Sequence, residues 1–95
     1  MDKKELLFIY LEGCPYCQKA SHALEGIFAE HPEYKKIPLV RVSETKEPEK
    51  LQGRNYYYCP TFFYGDEKVY EAAPGDSEEK MDKILRDFYQ KAMQG

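Results

Sequence analysis

Three thiols hold most of the reactive chemistry of this 95-residue chain. Cys14 and Cys17 stand in the run Cys14-Pro15-Tyr16-Cys17, and Cys59 sits directly before Pro60 in Tyr56-Tyr57-Tyr58-Cys59-Pro60-Thr61-Phe62-Phe63. Thiols at i and i+3 on a helical turn project from one side, close enough for their sulfurs to bond without a large backbone movement. That spacing suits dithiol-disulfide exchange or half of a zinc site. Zinc ordinarily takes four ligands, and the remainder offers only Cys59, His22 and His31, without a second ligand pair, so redox chemistry is the first reading. A metal or iron-sulfur carrier using Cys14, Cys17 and Cys59 is the alternative.

Position gives the two motif thiols different roles. Leu6 to Leu11 is a short apolar run that reads as a strand buried on both faces. After it the period changes: Cys17, Ala20, Leu24, Ile27 and Phe28 fall at helical spacing, Pro15 suits the first helical position, and His31-Pro32 ends the pattern. Cys14 therefore caps a helix, where unpaired N–H groups and the positive end of the helix dipole favour a thiolate. Cys17, one turn inside, lacks that support, so the pair divides into an exposed nucleophile and a shielded resolving thiol.

The remaining elements are those that must hold this helix in place. Ile37 to Val42 reads as a second strand, and strand-helix-strand implies a parallel pair joined by a right-handed crossover. A short helix over Pro48 to Gln52 ends at Gly53. Thr61 to Tyr64 and Lys68 to Ala72 flank the loop Gly65-Asp66-Glu67 and read as an antiparallel hairpin. Asp76 and Glu79 form a capping pair for a last helix, along which Met81, Ile84, Leu85, Phe88, Tyr89 and Ala92 make an apolar stripe. Together these predict an α/β chain with a mixed four-stranded sheet, a single domain over 1–95.

Composition narrows the function classes. Apolar residues make up 42% and charged residues 33%, and the net charge of -3 comes from acids and bases mixed along the chain, so neither nucleic acid nor an anionic membrane is an expected partner. The opening MDKKELLFIYLEGC has too short an apolar run and no small-residue cleavage site for a secretory signal, and no stretch approaches the roughly 18 apolar residues of a bilayer span. A cytoplasmic setting is the expectation. Thiols stay reduced there, which again favours catalytic over structural cysteines.

Taken together, Cys14-Pro15-Tyr16-Cys17, the order strand-helix-strand-helix-strand-strand-helix, and Pro60 opening the third strand resemble a glutaredoxin, the minimal form of the thioredoxin fold. The likeness spans nearly the whole chain. It implies a βαβαββα architecture, a cis Cys59-Pro60 bond lying against the motif cysteines, and a thiol-disulfide oxidoreductase that reduces protein or glutathione mixed disulfides through Cys14 and Cys17. It implies substrate contacts from Cys59 and Pro60; Tyr16, between the cysteines, reads as flanking the substrate groove or as a plain surface aromatic, and the helix begun by Asp76 and Ser77 has N–H groups able to hold a carboxylate. No bound cofactor is implied, and the reductant is glutathione or a thioredoxin-reductase-like flavoenzyme. The chain departs from dithiol glutaredoxins in having Tyr58-Cys59 where Thr-Val is usual, no base in Leu11-Glu12-Gly13, and Ala73-Pro74-Gly75-Asp76-Ser77 in place of a Gly-Gly pair before the last helix. Pro60-Thr61-Phe62 is closer to thioredoxins, although the first strand lacks the acid that thioredoxins bury near their cysteines.

Each functional assignment has a plainer counterpart. Tyr56, Tyr57 and Tyr58 read as core and groove-edge packing rather than a stacking platform for bases. His22 and His31 read as solvated helix residues, and Lys19, one turn from Cys14, either adds positive potential near its sulfur or is simply solvated. For Cys59 two readings stay open. It fills the volume of the family's usual valine, or it is a third working thiol able to pair with Cys14.

Overall fold

The computed structural model describes residues 4–94. Strands β1 (Leu6–Tyr10), β2 (Leu39–Ser43), β3 (Thr61–Tyr64) and β4 (Glu67–Glu71) form one sheet, and the helices are α1 (Pro15–Glu30) and α2 (Glu78–Gln94). The sheet order is β2-β1-β3-β4, with β1 parallel to β2 and the other neighbours antiparallel. This is the expected α/β mixed sheet. The second helix of the expected order is reduced to a 3₁₀ turn over Pro48–Leu51, and a further 3₁₀ turn covers Pro32–Lys36.

Strand periodicity decides what each face buries. Leu6 and Phe8 of β1 and Phe62 of β3 face Ala20, Leu24 and Ile27 of α1 and Met81, Leu85 and Tyr89 of α2 in the main core. The Phe8 and Phe62 rings stack with centroids 4.6 Å apart, as their cross-strand register requires. The opposite face buries Ile9, Val42, Leu51 and Phe63, covered by Tyr56 and Cys59. Fully burying a large apolar side chain contributes about 1.5–3 kcal/mol, so α1 and α2 owe their positions to these stripes more than to intrinsic propensity.

Several boundaries differ from the sequence reading. β2 begins at Leu39 rather than Ile37, because Ile37 is buried as the residue closing the 3₁₀ turn and lies outside the ladder. The hairpin turn is two residues, Gly65-Asp66, so Glu67 joins β4, and a register shift between Phe62 and Phe63 absorbs the difference. Gly65 has φ +63°, the left-handed conformation such a tight turn needs. α2 is capped by Ser77, whose Oγ accepts from Lys80 N at 3.1 Å, and not by Asp76 with Glu79. Tyr57 and Tyr58 are 90% and 53% exposed, contrary to the packing expected of them.

Candidate active site

The site forms where β1 hands over to α1. Gly13, at φ +77°, turns the chain so that Cys14 N donates to Leu11 O at 3.2 Å, and Cys14 becomes the N-cap in extended conformation. Its carbonyl accepts the first helical bond, from Gln18 N at 3.1 Å, while no side chain caps the first-turn amides. Pro15, at the first helical position, has no N–H to satisfy.

The two motif sulfurs sit in different surroundings. Cys14 is half-buried, whereas Cys17 is only 5% exposed and its sulfur accepts from Leu11 N at 3.4 Å. Burial pushes the Cys17 thiol up to about 12, with Cys14 and Cys59 adding to the effect and the Leu11 N–H opposing it. Both cysteines line a cleft of about 430 Å³ between α1 and β2, with Glu12, Gln18, Ser21 and Arg41 also on its walls.

On the other side of Cys14 stands the segment leading into β3. The Cys59-Pro60 bond is cis, Pro60 is fully buried, and the Cys14 thiol donates to the Cys59 carbonyl at 3.9 Å. Cys59 is half-buried, and its thiol is pushed up to about 12 by burial first and the Glu44 charge second. The Tyr16 hydroxyl accepts from Gly75 N at 2.9 Å, while Lys19 Nζ lies 4.9 Å from the centre of its ring. The fold thus brings Cys59 and the cis-Pro60 bond to the Cys14 sulfur across 45 residues, while Tyr16, between the two motif cysteines, reaches Gly75.

Among the described residues, Asp76 and Ser77 make no hydrogen bond to this group, and the bond from their neighbour Gly75 to Tyr16 is what ties them to it. Asp76 is buried, and its carboxylate accepts from Tyr70 OH at 2.5 Å, Ala73 N at 2.9 Å and Lys80 Nζ at 2.9 Å, with Tyr70 foremost in holding it down at about 2. Glu12 likewise turns to its own partners. Its carboxylate accepts from Ser43 Oγ at 2.6 Å and Thr45 Oγ1 at 3.0 Å, and the Ser43 bond chiefly lowers its pKa. His22 pairs with Glu78 at 2.6 Å, which raises its pKa, and His31 contacts Glu33 at 3.2 Å.

Two carboxylates near the site carry no signal in the sequence reading. Glu71 of β4 accepts from the backbone N–H groups of both Tyr57 and Tyr58 and so pins the segment before Cys59. Glu44, which follows β2, accepts from Tyr56 OH at 2.7 Å. An acid following a strand and a tyrosine 12 residues later show no periodicity, so only the folded chain brings them together. Among the described residues, no group of three or more His, Cys, Asp or Glu side chains is arranged to hold a metal ion. The carrier reading of Cys14, Cys17 and Cys59 therefore has no ligand set behind it.

Solved structures with this arrangement are thioredoxin-fold proteins. Oxidised thioredoxin from Plasmodium falciparum matches with a TM-score of 0.65 at 17% identity, over 95% of this chain and 81% of that one. Trxlp from Edwardsiella tarda matches with a TM-score of 0.62 at 19% identity, over 87% of this chain and 82% of that one. A malarial protein matches with a TM-score of 0.60 at 14% identity, over 90% and 97%. No protein-family model and no curated protein sequence matches the chain. At these identities the likeness defines the fold, and the chain has the α/β thioredoxin fold. Among the described residues no helix is long and apolar enough to cross a membrane.

Proposed function

We propose that the chain is a glutaredoxin-like thiol-disulfide oxidoreductase acting on disulfide-containing proteins through Cys14 and Cys17. The observation that carries this reading is the asymmetry of the pair: Cys14 caps a helix without a side-chain partner in the cap, and Cys17 lies buried under the Leu11 N–H. A Cys14 thiolate attacks one sulfur of the substrate disulfide, forming a mixed disulfide and releasing the other sulfur as a thiolate. Cys17 then attacks the Cys14 sulfur, the second substrate sulfur leaves as thiolate and takes up a proton, and a Cys14–Cys17 disulfide remains. Reduction by glutathione or by a thioredoxin-reductase-like flavoenzyme restores the dithiol.

Protein disulfides fit the groove better than small anionic thiols. The Gly75 N–H ahead of α2 is occupied by Tyr16, the Asp76 carboxylate is fully engaged, and Glu78 and Glu79 open the helix with like charge. The test is insulin-disulfide reduction with each reductant system in turn, in wild type, Cys14→Ser and Cys17→Ser. Turnover lost in Cys14→Ser supports the reading. Wild-type protein that reduces neither insulin nor a glutathionylated peptide with either system overturns it.

A further inference from the structure

The proposed cycle makes no use of Cys59, although it adjoins the nucleophile. We infer that Cys59 is a second resolving thiol, able to replace Cys17 by forming a Cys14–Cys59 disulfide. Three features support this assignment. With its carbonyl oxygen 3.9 Å from the Cys14 sulfur, the Cα of Cys59 lies no further than about 6 Å from that sulfur. A rotation of the side chain with a small loop movement then brings the sulfurs to bonding distance. The thiol is half-buried, so an attack along the groove is open to it, and the preceding residues Tyr57 and Tyr58 are exposed.

The second feature is the surroundings of Cys59. Tyr56 packs with it over Ile9, Val42, Leu51 and Phe63, and the Tyr56 hydroxyl donates to Glu44 Oε1 at 2.7 Å, which holds a half-buried carboxylate at the edge of this cluster, where its charge acts on the Cys59 thiol. A residue that merely fills space gains nothing from a neighbouring carboxylate, whose own desolvation is costly. A thiol that must give up a proton when it attacks gains an acceptor. The third feature is that Cys59 and Cys17 are alike in being held protonated, so neither competes with Cys14 for the first attack.

The step balances without an added oxidant. In a mixed disulfide between Cys14 and a substrate sulfur, the Cys59 sulfur attacks the Cys14 sulfur while Glu44 accepts the Cys59 proton. The Cys14–Cys59 bond forms, the Cys14–substrate bond breaks, and the substrate sulfur leaves reduced, taking a proton. The substrate disulfide supplies the oxidising equivalents. This inference rests on the proposed function only in requiring that Cys14 form a mixed disulfide.

Oxidation of Cys17→Ser with glutathione disulfide, followed by iodoacetamide and mass spectrometry, tests it, with Cys17→Ala as a second variant should the first fold poorly. The expected product has lost the mass of two hydrogen atoms and yields a peptide linking Cys14 to Cys59. It should form about tenfold or more slowly in Cys17→Ser/Glu44→Gln. A stable glutathione adduct on Cys14 with Cys59 alkylated overturns the second resolving role while leaving the proposed function intact. Cys17→Ser/Cys59→Ala protein in which Cys14 forms a mixed disulfide neither with glutathione disulfide nor with a chromogenic aromatic disulfide overturns both.

Discussion

Buried Cys17, the proposed resolving thiol, gives the sharpest test of the site, because its suppression can be worked out. With the Cys17 pKa near 12, about one sulfur in 10,000 is thiolate at pH 8, against about one in four for a free thiol of pKa near 8.5. Ionisation alone thus slows exchange with a disulfide reagent about 2,000-fold. The more basic thiolate is more nucleophilic, with a Brønsted slope of about 0.4–0.5, which returns a factor of about 25–60. The net expectation is a rate about 40–100 times below that of a free cysteine, before any loss from poor access at 5% exposure. Cys14→Ser/Cys59→Ala isolates Cys17, and burial, the leading cause of the shift, persists in it. Labelling by a chromogenic aromatic disulfide, followed from pH 7 to pH 9.5, should then accelerate close to tenfold per pH unit without levelling. A plateau near pH 8–9, at the rate of a free thiol, would refute both the burial argument and the role assigned to Cys17.

Other outcomes follow from individual contacts. Asp76, held at about 2 against an ordinary 3.8, stabilises the fold above that ordinary value and ceases to do so as pH falls from about 4 through 2. Urea midpoints should accordingly drop over that window, and less steeply in Asp76→Asn. Glu71→Ala should speed hydrogen exchange of the Tyr57 and Tyr58 amides by about tenfold or more, with the β1 amides unchanged, since it removes the carboxylate that binds both. Tyr16→Phe removes the hydroxyl bonded to Gly75 and should cost about 0.5–1.5 kcal/mol in urea unfolding. An unchanged midpoint would mean that water replaces the bond fully.

Local sequence determines the elements that local physics can specify. Pro15 after Cys14, the apolar stripe from Met81 to Tyr89 and the run Thr61 to Tyr64 set α1, α2 and β3, because helix entry and side-chain periodicity depend only on near neighbours. The pairing of Cys14 with Cys17 belongs to the same class, being fixed within one helical turn. Where burial alone was the signal, the sequence was ambiguous. Ile37 is as buried as a strand residue yet closes a 3₁₀ turn, and hydrophobicity does not distinguish the two. The partners of polar groups lie beyond it altogether: the local sequence marks Asp76 as a helix cap, whereas in the fold its carboxylate accepts from Tyr70 and Lys80. Tyr16 meets Gly75 across 59 residues, and Glu44 meets Tyr56, in the run that leads to Cys59, across 12. Such contacts exist only after the sheet has closed in the order β2-β1-β3-β4, since a hydrogen bond needs its donor and acceptor within about 3 Å and chain connectivity does not bring distant residues that close.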